Sequence, residues 1–164
     1  MFNLVEYISG GDLRDPVSSD STKIIAHVCN DIGVMGAGVA KELYNRWPIV
    51  KSSYLNNKTH TELGAVILCS PEPDIVIANC IAQHGIRTSS PGIPPIRYDA
   101  FTECMSSVFK YSTSLKTTSS IHVPHLMGCG LAGGDWTRIH RILTNFSNAY
   151  NQKVYIYDKY NQNT

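Results

Sequence analysis

A short stretch near the amino terminus, residues 24–40 (IIAHVCNDIGVMGAGVA), most constrains what this chain can fold into. It begins with a mostly apolar run that predicts a buried strand, continues into the polar pair Asn30 and Asp31, and then becomes rich in glycine. A strand followed by a glycine loop and a helix aims backbone N–H groups and a helix N-terminus at an anion, most commonly phosphate. The spacing matches neither the dinucleotide-binding motif nor the P-loop, and the stretch contains no lysine or arginine. The sequence therefore predicts a phosphate that is held largely by backbone groups.

A second glycine-rich loop, residues 127–134 (MGCGLAGG), occurs in the same kind of context. It follows a predicted strand at 121–126 and precedes a predicted helix at 135–150. The carboxyl ends of parallel strands meet at one edge of an α/β sheet, which is where ligands bind. Two phosphate-binding loops side by side would suit a diphosphate.

Strands and helices alternate along the chain, which predicts a layered α/β fold. The 164 residues suffice for one domain with a substantial core, which we place at 1–158, followed by a C-terminal tail at 159–164. The predicted strands are 2–9, 23–29, 64–69, 74–81, 121–126 and 153–157. The predicted helices are 38–47, a short one at 49–55, 97–111 and 135–150.

Charge and cysteine content argue against several function classes. Charged residues make up 16% of the chain and the formal net charge is +1, so there is no electrostatic footprint for nucleic acid or for an anionic membrane. The amino terminus lacks the basic start and apolar run of a signal peptide, and no apolar run is long enough to span a bilayer. Five widely spaced cysteines without a C-x-x-C pair predict a reduced, cytoplasmic protein without a structural zinc site. We expect a monomer that needs no metal and no cofactor.

Four motifs are more informative together than singly. They are residues 11–13 (GDL), 27–30 (HVCN), 35–41 (MGAGVAK) and 124–136 (PHLMGCGLAGGDW). Together they resemble the macro domain family of ADP-ribose binders, over nearly the whole chain. The glycine segments are most similar to the branch that contains the terminal ADP-ribose protein glutamate hydrolase, the DNA ADP-ribosyl hydrolase antitoxin and the yeast ADP-ribose 1''-phosphate phosphatase. The resemblance implies a three-layer α/β/α domain with a mixed, mostly parallel sheet of about six strands, and a small-molecule ligand, ADP-ribose or ADP-ribose 1''-phosphate.

The resemblance also implies roles for individual residues. Asp12 would accept from the adenine amino group, with the backbone of Leu13 beside it, and Tyr157 would be an aromatic residue near the adenine. Asn30 would bond the hydroxyls of the distal ribose, and Asp31 is either a second carboxylate near that ribose or a turn residue. The residues that would wrap the distal ribose and cradle the phosphates are Gly36, Ala37, Gly38, Gly128, Cys129, Gly130, Leu131, Ala132 and Gly133.

One position separates this chain from the hydrolases of that branch. They use a lysine soon after the strand that here is 74–81, whereas this chain has Gln83, which we count among the ligand-binding residues. Ala132 stands where the glutamate hydrolase carries a carboxylate. An amide cannot attack the anomeric carbon as a lysine can, which argues against lysine-dependent removal of ADP-ribose. The phosphatase member of the branch lacks that lysine too and shares the His-x-Cys-Asn pattern seen here at 27–30, so the resemblance favours hydrolysis of ADP-ribose 1''-phosphate to ADP-ribose and phosphate. The alternatives are an ADP-ribosyl hydrolase that acts on protein or nucleic acid without lysine, and a reader that binds ADP-ribose and catalyses nothing.

His27 and Asp135 are the candidate catalytic residues. A histidine can transfer protons near neutral pH, and a carboxylate can activate or position water. Each has a structural alternative, because His27 lies in an otherwise apolar strand that could simply bury it, and Asp135 stands where the last helix needs an N-cap. His84, next to Gln83, is a further candidate for the border of the distal ribose.

Overall fold

The computed structural model describes residues 3–57, 61–88 and 92–160 of the chain. Within them the strands are β1 Val5–Ile8, β2 Thr22–Asn30, β3 Val66–Glu72, β4 Ile75–Gln83, β5 Ser119–Pro124 and β6 Val154–Tyr157. The helices are α1 Gly38–Arg46, α2 Ile49–Asn56, α3 Tyr98–Ser114 and α4 Trp136–Tyr150, and a short 3-10 turn follows at Asp158–Tyr160. The predicted α/β fold is confirmed. Parts of two predicted segments, residue 2 of the first strand and 161–164 of the tail, lie outside the described residues.

The strands form one mixed sheet in the order β1-β6-β5-β2-β4-β3. Every neighbouring pair is parallel except β3 and β4, which are antiparallel. β2 and β4 lie inside the sheet, and this explains why their sequences read as nearly continuous apolar runs rather than as alternating ones. The carboxyl ends of β2, β4 and β5 therefore meet at one edge of the sheet, where both glycine loops begin.

The sheet separates two apolar layers, so the fold has the three layers that the resemblance implies. On one face Phe101 of α3 and Leu143 of α4 pack against the sheet, and on the other Leu43 of α1 and Tyr54 of α2 do so. All four side chains are fully buried. Of the helices in the described part of the chain, none has both the length and the apolar character needed to cross a membrane.

The clearest departure from the predicted boundaries is in β3. The sequence predicts a strand at 64–69 that ends in a tight connection, but the strand starts at Val66 and continues through Pro71 to Glu72. Gly64 has φ +95°, a left-handed conformation that cannot join the strand. Pro71 is tolerated because β3 is an edge strand, where a missing N–H removes no inner ladder bond.

The turn after β1 approaches the sheet so closely that only glycine fits at position 11. A Cβ atom on Gly11 would lie 2.6 Å from Cγ2 of Ile8 and 2.8 Å from Cδ1 of Tyr157. Tyr157 is fully buried and its hydroxyl accepts a 3.0 Å hydrogen bond from the amide of Val17, so its ring cannot easily move away. This close contact packs the turn that carries Asp12 against the end of β6.

We expect Gly11→Ala to lower the free energy of unfolding by about 1–3 kcal/mol, because the added methyl group overpacks this contact. Urea denaturation measures the change. Gly36→Ala is the matched control, since a Cβ there meets no atom within 4 Å, and it should leave the unfolding free energy nearly unchanged. Equal stability of Gly11→Ala and the wild type would contradict the close packing.

Candidate functional site

The two glycine loops meet over the carboxyl ends of the inner strands and enclose one cavity of about 810 Å³. Ten of the predicted site residues line it, namely His27, Asn30, Gly36, Ala37, Gly38, Gln83, Gly128, Gly130, Leu131 and Ala132. Seven others do not, namely Asp12, Leu13, Asp31, Cys129, Gly133, Asp135 and Tyr157. The volume falls in the range of ordinary small-molecule sites. The structure thus brings together the residues predicted for the distal ribose and most of those predicted for the diphosphate.

The side chain of Asn30 fixes the path of the first glycine loop through hydrogen bonds. Its Oδ1 accepts hydrogen bonds from the amides of Ile32 and Val34, both at 3.2 Å, and from the hydroxyl of Tyr54 at 2.8 Å. Its Nδ2 donates to the carbonyl of Val34 at 2.6 Å. Tyr54, on α2, is fully buried and was not singled out from the sequence. The predicted contact of Asn30 with ribose stays a prediction, beside this clear role in the loop.

Asp31 ties the loop after β4 to the end of β2. Its Oδ1 accepts from the amide of Gly85 at 2.8 Å, and its Oδ2 lies 2.7 Å from Nδ1 of His84. Burial alone would raise the pKa of the Asp31 carboxyl, but the bonds from Gly85 and His84 outweigh burial and the pKa is lowered. Gln83 lines the cavity next to these hydrogen bonds, and its Nε2 donates to the carbonyl of Gly85 at 3.0 Å.

The start of α1 has no side-chain cap. Its N-cap residue, Ala37, has no side-chain group that could accept a hydrogen bond from the helix, and within residues 3–57, 61–88 and 92–160 no other side chain accepts from its first amides. The first residues of the helix, Gly38, Val39 and Ala40, line the cavity. A helix N-terminus with free amides carries a partial positive charge, so this end of α1 is suited to an anion.

The second glycine loop also presents free amides. Its internal turns use the amides of Cys129, Gly133 and Gly134, which donate to the carbonyls of Leu126, Gly130 and Gly128. The amide of Met127 donates to the carbonyl of Pro124. The amides of the remaining four loop residues donate to no acceptor within the described residues, and all four residues line the cavity: Gly128, Gly130, Leu131 and Ala132. Two independent sets of unpaired N–H groups therefore surround one cavity.

His27 is buried beneath the cavity and is held by Asn79. Its Nε2 lies 2.5 Å from Oδ1 of Asn79, whose Nδ2 in turn donates to the carbonyl of Val50 at 3.2 Å. Burial lowers the pKa of His27 to about 4, against a smaller opposing effect of the Asn79 bond. The imidazole is therefore neutral at pH 7, with its proton on Nε2 and a lone pair on Nδ1 that can accept a proton.

Cys29 lies beside His27 but is not an activated nucleophile. Its Sγ is 3.9 Å from Nδ1 of His27. Burial raises the pKa of the Cys29 thiol well above its usual value, so the thiol stays protonated. Among the described residues, no group of three or more His, Cys, Asp or Glu could hold a metal ion.

Asp135 is the N-cap of α4. Its Oδ1 accepts from the amide of Thr137 at 2.9 Å, and its own amide donates to the hydroxyl of Tyr98 at 2.7 Å. The N-cap interpretation is confirmed. The carboxylate is not part of the cavity lining, and its role in catalysis stays a prediction.

The residues predicted for the adenine are not among those that line the cavity. The carboxylate of Asp12 is 2.6 Å from a guanidinium nitrogen of Arg14 and 2.8 Å from Nζ of Lys159. Leu13 and Tyr157 are fully buried. An adenine that reached Asp12 would have to share the carboxylate with two cations, so the predicted contact remains to be tested.

Arg87 is the main lining residue that the sequence did not single out. It belongs to the loop after β4 and is exposed, and among the described residues it is the one lysine or arginine that lines the cavity. No periodicity or motif marks it. The only available signal was its position soon after a strand that ends at the ligand-binding edge.

Comparison with known proteins adds to this picture. No protein-family model matches the chain. A Bacteroides thetaiotaomicron protein of unknown function is 37% identical, with a TM-score of 0.88 over 94% of this chain and 97% of its own. A Streptomyces coelicolor macrodomain protein is 31% identical, with a TM-score of 0.79 over 94% of this chain and 98% of its own. An ADP-ribose 1''-phosphate phosphatase from Candida albicans is 24% identical over 90% of this chain and 96% of its own length.

We expect the imidazole of His27 to titrate near pH 4 instead of the ordinary 6.5, as followed by histidine NMR signals. Because the unfolded chain binds a proton at this position between those two pH values and the folded chain does not, His27 should lower the stability as pH falls from about 6.5 to about 4. Above pH 6.5 this contribution is constant. His27→Gln should remove this part of the pH dependence, and a His27 pKa at or above 6.5 would contradict its burial.

Proposed function

The chain belongs to the macrodomain family, and from that premise we propose that its cavity binds ADP-ribose and hydrolyses ADP-ribose 1''-phosphate to ADP-ribose and phosphate. The observation that carries the proposal is the pairing of the uncapped N-terminus of α1 with the free amides of the second glycine loop around one cavity. ADP-ribose offers two linked phosphates to two such sets of donors.

The electrostatics of the site support a diphosphate ligand. An anion at a helix N-terminus gains about 0.3–1 kcal/mol at an exposed site and up to about 2 kcal/mol where it is partly buried. Backbone donors fixed by the fold need no reorganisation to stabilise charge on phosphate oxygens. Asn30 and Gln83 are partners in the β2–β4 pairing and both line the cavity, and we place the distal ribose beside them if the diphosphate occupies the amides.

The chemistry at the floor of the cavity supports phosphate release. Gln83 stands where lysine-dependent relatives attack the anomeric carbon, so we propose attack at phosphorus instead. Water attacks the phosphorus atom, the bond from phosphorus to the 1'' oxygen breaks, and the sugar oxygen leaves as a hydroxyl group. We assign to Nδ1 of His27 the transfer of a proton from the water to that oxygen. A phosphate dianion nearby would raise the pKa of the imidazole by favouring its charged form.

The same geometry favours a second candidate, a reader that binds ADP-ribose without catalysis. Within the described part of the chain, no aspartate or glutamate lines the cavity. His27 is buried and hydrogen-bonded, as a structural histidine would be. Both functions share the same ligand, so they differ only in turnover.

We expect the wild-type protein to bind ADP-ribose in calorimetry and to release phosphate from ADP-ribose 1''-phosphate. His27→Gln should lower the rate of phosphate release by about 10²-fold or more, in the range of lost general acid–base catalysis, while ADP-ribose still binds. Asp135→Asn is the companion variant. Because asparagine caps helices as well as aspartate does, any fall in its rate would report chemistry at the carboxylate and not loss of the helix.

The outcomes separate the candidates. Binding without phosphate release supports the reader, and release of ADP-ribose from modified protein or DNA supports the lysine-independent ADP-ribosyl hydrolase. If ADP-ribose does not bind at millimolar concentration, all of these functions are wrong.

A further inference from the structure

We propose that Arg87 recognises a phosphate group carried by the distal ribose, and so distinguishes ADP-ribose 1''-phosphate from ADP-ribose. This inference rests on the proposed function and adds a specificity-determining residue to it. Three observations support the assignment: the charge of the cavity, the position of the loop that carries Arg87, and the absence of a competing partner.

The cavity is nearly free of charge apart from Arg87. None of its other lining residues is a lysine, arginine, aspartate or glutamate within the described part of the chain. His27 is neutral near pH 7, because burial lowers its pKa to about 4. A full positive charge at the wall of such a cavity attracts an anionic group that the backbone amides alone would bind less strongly.

The loop that carries Arg87 lies on the opposite side of β2 from the second glycine loop. The second glycine loop follows β5, Arg87 follows β4, and β2 runs between these two strands in the sheet. The loop of Arg87 is fixed at its base, because Asp31 accepts from the amide of Gly85 at 2.8 Å and contacts His84 at 2.7 Å. Arg87 is therefore held on the side of Asn30 and Gln83, where the distal ribose is proposed to sit.

The guanidinium is also available. Arg87 is exposed and makes no ion pair or hydrogen bond to any residue in the described ranges. The basic residues near Asp12 differ in this respect, since Arg14 and Lys159 already pair with that carboxylate. A guanidinium can bind a phosphate through two parallel hydrogen bonds, which no backbone amide can do.

The charge of the ligand explains why such a residue would be specific. Each phosphate of the diphosphate bridge carries one negative charge, and in the proposed complex the amides of α1 and the second loop bind these two phosphates. A phosphate monoester on the 1'' oxygen adds about 1.5 to 2 negative charges at pH 7. Arg87 thus meets a group that ADP-ribose lacks, and it should contribute little to the binding of ADP-ribose itself.

The test compares both ligands by calorimetry in the full chain, with His27→Gln added to each protein so that ADP-ribose 1''-phosphate is not consumed. We expect Arg87→Gln to weaken binding of ADP-ribose 1''-phosphate by about 10- to 100-fold, the range for lost hydrogen bonds to a charged group, and to change ADP-ribose binding by less than about twofold. Arg87→Lys should fall between the wild type and Arg87→Gln, because a single ammonium keeps the charge without the paired hydrogen bonds.

Arg141→Gln is the matched control, since it removes the same charge from an exposed position on α4 that is not part of the cavity lining. It should leave the affinities for both ligands unchanged. If Arg87→Gln weakens both ligands equally, or neither, the assignment of Arg87 is wrong although the proposed function stands. If the wild-type protein, with His27 and Arg87 both intact, does not bind ADP-ribose, the proposed function fails and the assignment of Arg87 fails with it.

Discussion

The cavity depends on one side chain, the amide of Asn30, at the point where the central strand leaves the sheet. Its oxygen accepts hydrogen bonds from two backbone amides of the first glycine loop and from the hydroxyl of Tyr54. Its nitrogen donates a hydrogen bond to the carbonyl of Val34 in the same loop. A buried donor or acceptor left without a partner costs about 1–3 kcal/mol, so the loop has little freedom to take another path. The position of the uncapped start of α1 follows from that path. The same stretch that begins as a buried strand therefore ends at an uncapped helix N-terminus beside the cavity.

Charge is divided unevenly around the ligand-binding edge. Partial charges on backbone amides come from α1 and the second glycine loop, whereas one full charge comes from Arg87. The acidic groups nearby serve the scaffold, since Asp31 holds the loop after β4 and Asp135 caps α4. Among the described residues, no carboxylate therefore lines the cavity, as the proposed phosphate ligand requires. This arrangement also keeps His27 neutral, because burial in an uncharged floor disfavours the imidazolium.

Much of the fold could be predicted from the sequence, because hydrophobic periodicity and glycine loops are local signals. The alternation of strands and helices follows from such local patterns, and each glycine loop is recognised from the strand before it and the helix after it. The three layers were implied by the family resemblance, and the meeting of the two loops was expected because the carboxyl ends of parallel strands share one edge of the sheet. The boundaries of β3 were less accurate, since the tolerance of Pro71 depends on β3 being an edge strand. Whether a strand lies at the edge of the sheet depends on the order of all the strands, and this order cannot be predicted from a local sequence pattern.

The sequence by itself determined that this chain forms an α/β sheet with two glycine loops at one edge, and the motifs pointed to ADP-ribose as the ligand. Only the tertiary structure decided how the polar side chains are paired. His27 meets Asn79, Asp31 meets Gly85, and Asp12 meets Lys159, across 52, 54 and 147 positions of sequence. The strength of a hydrogen bond or ion pair depends on distance and burial, and those are set only when distant segments pack together. For the same reason Arg87, which carries no local signal, became part of the cavity only in the folded chain.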